Sequence, residues 1–370
     1  MSANFFQKGG YEYITAEIQR AIESGSRTAR ITGHWEIDKA VRLPSNTTLI
    51  LENCHLRMAK DCYSNMFLNE HYGTEIGKTL EGTDTNITIK GKGYAIIDGG
   101  GYNGLTERTA NKNGLPSMWK NNPLIFCNVD GFSISDVKVI NQRWWALTFV
   151  YSRNGYLGNI EFCSCDTAID ENGKEYHTLD YDRYEDVLVK NSDGIDLRIG
   201  CHDIKIENIT GFVEDDTVAL TALDKGREGK ELAVEGMVSD IYNVEIRNIR
   251  SASFCSMVRL LNQGGTKLHD ILIDGVYDQS ETCPHLVRGY NAVKIGDTHA
   301  YGSRHSTEDE TYNITIRNVY GAGVNAVKIA GEMKNVSIYG IECKPGTNMI
   351  HDQRGIPVTA LFEHQKNHKK

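Results

Sequence analysis

Three aspartates in two neighbouring phrases carry the chemistry of this sequence. Asp193 opens "DGIDL", and 23 residues later Asp215 and Asp216 lead into "DTVAL". Carboxylates held side by side raise one another's proton affinity, so one keeps its proton near neutral pH while another stays ionised. That combination offers a general acid and a general base together. What has to be explained is which elements would bring the three into contact.

The answer is a repeat. "NITIKGKGYAIIDGGG" from Asn86, "GFSISDVKVIN" from Gly131, "HDIKIENITGF" from His202, "YNVEIRNIRSA" from Tyr242, "HDILIDGVYD" from His269, "YNITIRNVYGAG" from Tyr312 and "KNVSIYGIEC" from Lys334 share one pattern. Each alternates apolar and polar residues with period two and ends at Asn, Asp or Gly, the signature of short strands and turns. Between these phrases a second series aligns on its apolar pairs: "WALTF", "DGIDL", "DTVAL", "SMVRL", "NAVKI" and "NAVKI" again. An interval of 23 residues suits one coil of three short strands, and stacked coils bury a continuous core. The chain is therefore expected to be all-β, a right-handed single-stranded parallel β-helix forming one domain over 1–370. "ITAEIQRAIESG" predicts a short capping helix within the N-terminal 1–30, with Ile18, Ala21 and Ile22 at helical spacing and Gly25 just beyond. The closing 363–370 reads as a mobile tail. Lateral loops over 100–121, 165–184, 224–235 and 297–311 are placed to wall a groove.

In this register the apolar pairs point inward and two columns point outward or lie at the strand's leading corner. The leading column is Trp145, Asp193, Asp216, Ser256, Asn291 and Asn325. The middle column is Thr148, Asp196, Ala219, Arg259, Lys294 and Lys328. Coils lie about 4.8 Å apart, so Asp193 and Asp216 should be neighbours with Asp215 beside them. Arg259, Lys294 and Lys328 form a basic strip on the same face, suited to an anionic group of a substrate, with Asn191 and Ser256 nearby. Asp196 reads as a corner residue bonding its own backbone. Trp144 and Trp145 read equally as a sugar-stacking platform or as a plug at the coil edge. His202 and His269, in similar positions before strands, read as structural. "GKGYAIIDGGG" lacks the helix and Lys-Ser/Thr of a phosphate loop.

Composition narrows the partners. Against 40 Lys+Arg stand 49 Asp+Glu, for a net charge of −9, so neither nucleic acid nor an anionic membrane is attracted globally. No run of about 18 apolar residues and no leader-like start is present, and the chain reads as cytoplasmic. The nine cysteines sit mostly in strand-like runs at spacings that fit neither zinc nor disulfides. They are expected to be reduced. Asn-x-Ser/Thr at Asn46, Asn86, Asn208, Asn313 and Asn335 reads as turn asparagines followed by strand residues.

On "NITIKGKGYAIIDGGG", on Asn191-Ser192-Asp193 and on Asp215-Asp216 the sequence resembles the polygalacturonase family, glycoside hydrolase family 28, within the pectin-lyase-like β-helix superfamily. The resemblance runs from about Tyr13 to Met349 and is specific only in its central part. It implies an inverting hydrolysis in which Asp215 protonates the glycosidic oxygen and Asp193 with Asp216 activates a water, with no metal or cofactor. The departures fall on substrate binding. The family's Gly-His-Gly lands at "FCSMV", where Ser256 holds the leading position. Its Arg-Ile-Lys lands at "VKIGD", with Lys294 and Gly296 at the basic positions, and the glycine before the paired aspartates is Glu214. A carbohydrate substrate, uronic or not, is expected, in a monomer or a homo-oligomer. Two rival readings stay open. One is a polysaccharide lyase or epimerase in which the acidic cluster holds Ca²⁺ and Lys294 or Arg259 abstracts a proton; the other is a non-catalytic β-helix such as a tail module.

Overall fold

The computed structural model describes residues 5–60, 62–101, 119–164, 168–169, 175–176, 178–180, 192–223 and 229–354, with the backbone alone at 168–169, 175–176 and 229–230. Asn191 and the tail at 363–370 lie outside the described residues, as do parts of three of the four lateral segments.

Two ten-stranded sheets run the length of the molecule, and every neighbouring pair within them is parallel. One consists of long strands of 10–15 residues, such as His202–Val213 and Ile241–Ser253. The other consists of short strands: Val41–Leu43, Phe67–Asn69, Leu124–Cys127, Leu147–Val150, Ile195–Leu197, Asp216–Leu223, Ser256–Gln263, Asn291–Gly296, Asn325–Ala330 and Asn348–Asp352. This is the right-handed parallel β-helix that the repeat requires. Each coil contributes one strand to each sheet.

The long strands turn a corner in mid-course, and asparagine makes the turn. In His202–Val213, Ile206 and Ile209 both point inward although three residues apart, because Asn208 between them takes φ 57° and breaks the period of two. Asn tolerates the left-handed region better than other residues with a side chain. Its amide then bonds the next coil: Asn248 donates to Asn208 Oδ1 at 2.7 Å, and Asn208 donates to Asn159 Oδ1 at 3.0 Å. The other asparagines in Asn-x-Ser/Thr matches, Asn46, Asn86, Asn313 and Asn335, likewise have φ between 51° and 59°. They are turn residues, as the sequence reading holds.

Inside, Ile89, Ile134, Leu157, Ile206, Ile246, Ile273 and Ile316 lie one above the next in register, all fully buried. Each such side chain contributes roughly 1.5–3 kcal/mol of burial. Helix Gly10–Glu23 closes the N-terminal end by packing Ile14, Ile18 and Ala21 against the first coils. On the outside of the long-strand sheet, His202, Tyr242, His269 and Tyr312 stack ring on ring at 4.6–5.2 Å, which bears out the structural reading of both histidines. Among the described residues Cys54, Cys62, Cys127, Cys201, Cys255, Cys283 and Cys343 are free thiols. Among those residues no helix is long and apolar enough to cross a membrane.

Candidate active site

The short-strand sheet realises both outward columns. Asp196 pairs with Thr148 and Ala219, Ala219 with Arg259, Arg259 with Lys294, and Lys294 with Lys328. Asp216 stands opposite Ser256, and Ser256 opposite Asn291. Asp193 is brought against Asp216 by Gly194: a Cβ there would lie 2.5 Å from Thr217 O in the next coil. Only glycine permits that approach.

Asp193, Asp215 and Asp216 each present an oxygen within 4.8 Å of the other two. The Asp216 N–H donates to Asp193 Oδ1 at 3.0 Å, and the Asp215 carbonyl accepts from Ser253. Asp193 and Asp216 are buried, whereas Asp215 is half-buried. Burial pushes the Asp193 carboxyl well above its ordinary range, and the nearby charges of Asp196, Asp215 and Asp216 add to the effect. Asp216 is also raised by burial, but Arg259 and Lys294 oppose the rise. The two carboxyls therefore sit in unlike surroundings, the condition for dividing acid and base roles. Glu214 is fully buried, accepts from Ser192 Oγ at 2.8 Å and lies outside the three-carboxylate group.

Asp196 departs from expectation. It is not a corner residue but the centre of strand Ile195–Leu197, with no exposure, hydrogen-bonded to Asp193 and paired with Arg198 at 3.4 Å. Burial raises its carboxyl to about 7 against the pull of Arg198. The Arg198 guanidinium lies over the Trp145 ring at 4.2 Å. Trp145 is 3% exposed and edge-on to Trp119 at 5.9 Å, so of its two readings the structure realises the plug.

The basic strip is not purely basic. Asp297, which sequence reasoning treats only as a loop boundary, accepts from Arg259 Nη2 at 2.8 Å and from Lys294 Nζ. Burial works to raise its carboxyl, but Lys294 and Arg259 outweigh that and hold it below the usual value. Arg259 also reaches Asp216 Oδ2 at 3.4 Å and faces the Tyr301 ring at 5.3 Å. Lys328, next in the strip, is 6% exposed and bonds the Tyr290 hydroxyl. Asp297 bridges Arg259 and Lys294. Among the described residues, Asp216 Oδ1 and Arg259 Nε are buried without a hydrogen-bond partner. Buried polar atoms of this kind are normally satisfied by water or a ligand.

The sequence profile of Glycosyl hydrolases family 28 matches residues 64–239, which contain all three aspartates. Over that span the chain is similar to the family 28 glycosyl hydrolases. The match ends short of Ser256, Arg259 and Lys294, where the substrate-binding motifs depart from the family pattern. No curated protein matches the chain. Solved structures similar to it include the exopolygalacturonase from Thermotoga maritima, at 14% identity and TM-score 0.51 over 90% of this chain and 84% of that one. The polygalacturonase from Erwinia carotovora ssp. carotovora is similar at 14% identity and TM-score 0.52 over 88% and 89%. A tailspike protein of E. coli bacteriophage HK620 in complex with pentasaccharide is similar at 14% identity and TM-score 0.56, over 92% of this chain and 61% of that one. At such identities these likenesses establish the β-helix, and the family 28 match establishes a glycoside hydrolase with a carbohydrate substrate.

Proposed function

We propose that this chain is a family 28 enzyme that cleaves a glycosidic bond of an acidic, galacturonide-type oligosaccharide with inversion. The observation that supports the reading is the joining of three carboxylates in unlike surroundings to a cation pair on the same face. Asp215, the half-buried member, protonates the leaving oxygen. Asp193 and Asp216 hold and deprotonate the attacking water, with Arg259 and Lys294 opposing the rise of the Asp216 carboxyl. Arg259 and Lys294 take the sugar carboxylate, with Asp297 fixing their positions, and Ser256 lines the site through its hydrogen bond to Asp216. The free thiols suit a reducing compartment, which we propose as its location.

Retention is the second reading, because oxygens within 4.8 Å of one another are closer than the roughly 6.5–9.5 Å usual between the carboxyls of inverting pairs. Proton NMR of the first product formed decides between them: the anomer opposite to the substrate's is expected, and the same anomer overturns inversion. New reducing ends should appear without ultraviolet-absorbing product and should survive chelator. Absorbance lost on chelation would instead identify a lyase. Asp215→Asn is expected to lower kcat by roughly 10²–10⁴-fold with the fold unchanged by circular dichroism.

A further inference from the structure

Asp196 is a fourth carboxyl in the dry part of the site, and the three roles assigned to Asp193, Asp215 and Asp216 leave it without one. It stands at the centre of strand Ile195–Leu197, three residues after Asp193, with no exposure. Thr148 lies opposite it on one side and Ala219 on the other, both uncharged. Its ion-pair partner is Arg198, whose Nη1 lies 3.4 Å from Asp196 Oδ1 and which is itself 6% exposed. A buried guanidinium of this kind balances one negative charge.

The other carboxylate oxygen, Asp196 Oδ2, is buried and accepts from no N–H or hydroxyl among the described residues. Thr148 Oγ1, in register across the strand pair, is unpartnered as well and so does not supply the bond. What the Asp196 carboxyl has instead is a hydrogen bond with the carboxyl of Asp193. Asp193 in turn spends Oδ1 on the N–H of Asp216. The charges facing the two carboxyls are Arg198 on their own segment, Asp215 and Asp216 from the next coil, and Arg259, which bears on Arg198. Glu214, beside them, is held by Ser192 Oγ at 2.8 Å. An ionised carboxylate only accepts, so two carboxyls bond one another only with a proton between them. Ionising both would set two negative charges in contact against a single buried guanidinium. Burial raises both carboxyls, in keeping with a retained proton.

We infer that Asp193 and Asp196 share one proton, and that Asp196 is a positioning residue that sets when Asp193 can act as a base. The inference rests on the hydrolytic reading above and deepens it. With one proton the pair carries one negative charge, matched by Arg198, and the shared bond fixes the Asp193 carboxyl at the water site. As the water oxygen bonds the anomeric carbon, its O–H breaks toward Asp193 and the proton already in the pair passes wholly to Asp196. The bond from the anomeric carbon to the leaving oxygen breaks, and Asp215 gives that oxygen its proton. The pair ends with two protons and no charge, Asp215 ends ionised, and the total charge is unchanged.

Infrared spectroscopy of the full chain tests the shared proton without substrate. Near neutral pH the wild type is expected to show a carboxylic-acid C=O band that is lost in Asp193→Asn and equally in Asp196→Asn, because either change leaves one carboxyl with an amide donor and without its like-charged neighbour. A band that persists in Asp196→Asn means that Asp193 keeps its proton by burial alone, and overturns the inference. Kinetics on tetragalacturonate test the positioning role. In Asp196→Asn the acid limb of kcat/KM is expected to move to lower pH by about one unit or more, a tenfold or greater loss of proton affinity in the base, and kcat to fall about 10-fold because the amide cannot take the passed proton. A role in packing alone would leave the acid limb where it is, and that result also overturns the inference. Asp196→Leu, which has no donor, should lose activity about 10²-fold; the amide variant decides the matter if the leucine variant does not fold. The two readings fail separately. If the wild type cleaves tetragalacturonate and the band persists in Asp196→Asn, hydrolysis stands and the shared proton falls. If both amide changes remove the band and the wild type leaves tetragalacturonate intact, the shared proton stands and the hydrolytic reading falls.

Discussion

The leading corner of the short-strand sheet is built in two ways along one molecule. From Ser256 onward it is a ladder of neutral groups: Asn291 donates to Ser256 Oγ at 3.3 Å, Asn325 to Asn291 Oδ1 at 2.9 Å, and Asn348 to Asn325 Oδ1 at 2.9 Å. At Asp193 and Asp216 the same corner is occupied by carboxylates. An amide both donates and accepts, so identical neighbours satisfy one another coil after coil. An ionised carboxylate only accepts, so its neighbours must supply a backbone N–H, a proton or a cation. Asp193 takes the N–H of Asp216, and Asp216 takes Arg259. The amide stretch is stability made by repetition. The carboxylate stretch gives some of that stability up to hold reactive groups together.

The comparison can be broken by exchanging the two chemistries. Asp193→Asn should cost the largest effect, a fall in kcat of roughly 10²–10⁴-fold, because the water site loses a base while the acceptor for the Asp216 N–H is kept. Steady-state rates on the preferred oligosaccharide measure it. In the opposite direction, Asn325→Asp places a charge at a fully buried rung of the ladder and removes the donor to Asn291. A loss of about 2–3 kcal/mol in urea unfolding is expected, and an unchanged midpoint would show that the amide ladder contributes nothing.

The pH dependence of Asp193→Asn sharpens the same point. Because the folded Asp193 carboxyl is raised above its ordinary 3.8, the folded state keeps a proton that the unfolded chain has already lost. Wild-type stability is then drained as pH climbs above about 4 until the folded group ionises, and the effect is absent at lower pH, where both states are protonated. The amide variant should match or trail the wild type near pH 3 and gain on it progressively toward neutrality. A constant difference across that range would mean that the corner does not hold a raised carboxyl. The smallest change is expected from Lys294→Gln, which leaves Arg259 on Asp297. KM for an acidic oligosaccharide should rise about 5- to 10-fold with kcat little altered, as for loss of one charged contact. A neutral oligosaccharide should not respond.

The repeat and both columns were legible because a parallel coil stacks like on like: Ile295 and Ile329 read alike in the two "NAVKI" phrases and do lie in register. The meeting of Asp193 and Asp216 follows from that register alone. Asp196 was misread because alternation points it outward, and an outward residue is ordinarily solvated. Buried at the centre of its strand, it pairs with Arg198, which in turn lies over the Trp145 ring. Asp297 was missed for a related reason. It follows Gly296, which at φ 72° turns the chain at the end of its strand, and only that turn carries the carboxylate back between Arg259 and Lys294. Trp145, equally a platform or a plug by type, became the plug once Trp119 stood at its edge.

By itself, then, the order of residues determined the coil, the side on which each residue falls and the joining of three aspartates, since those depend on period and spacing. The tertiary structure decided which of these groups are dry and which are neutralised. Burial and ion pairing arise between segments far apart in the chain, where no local pattern reaches.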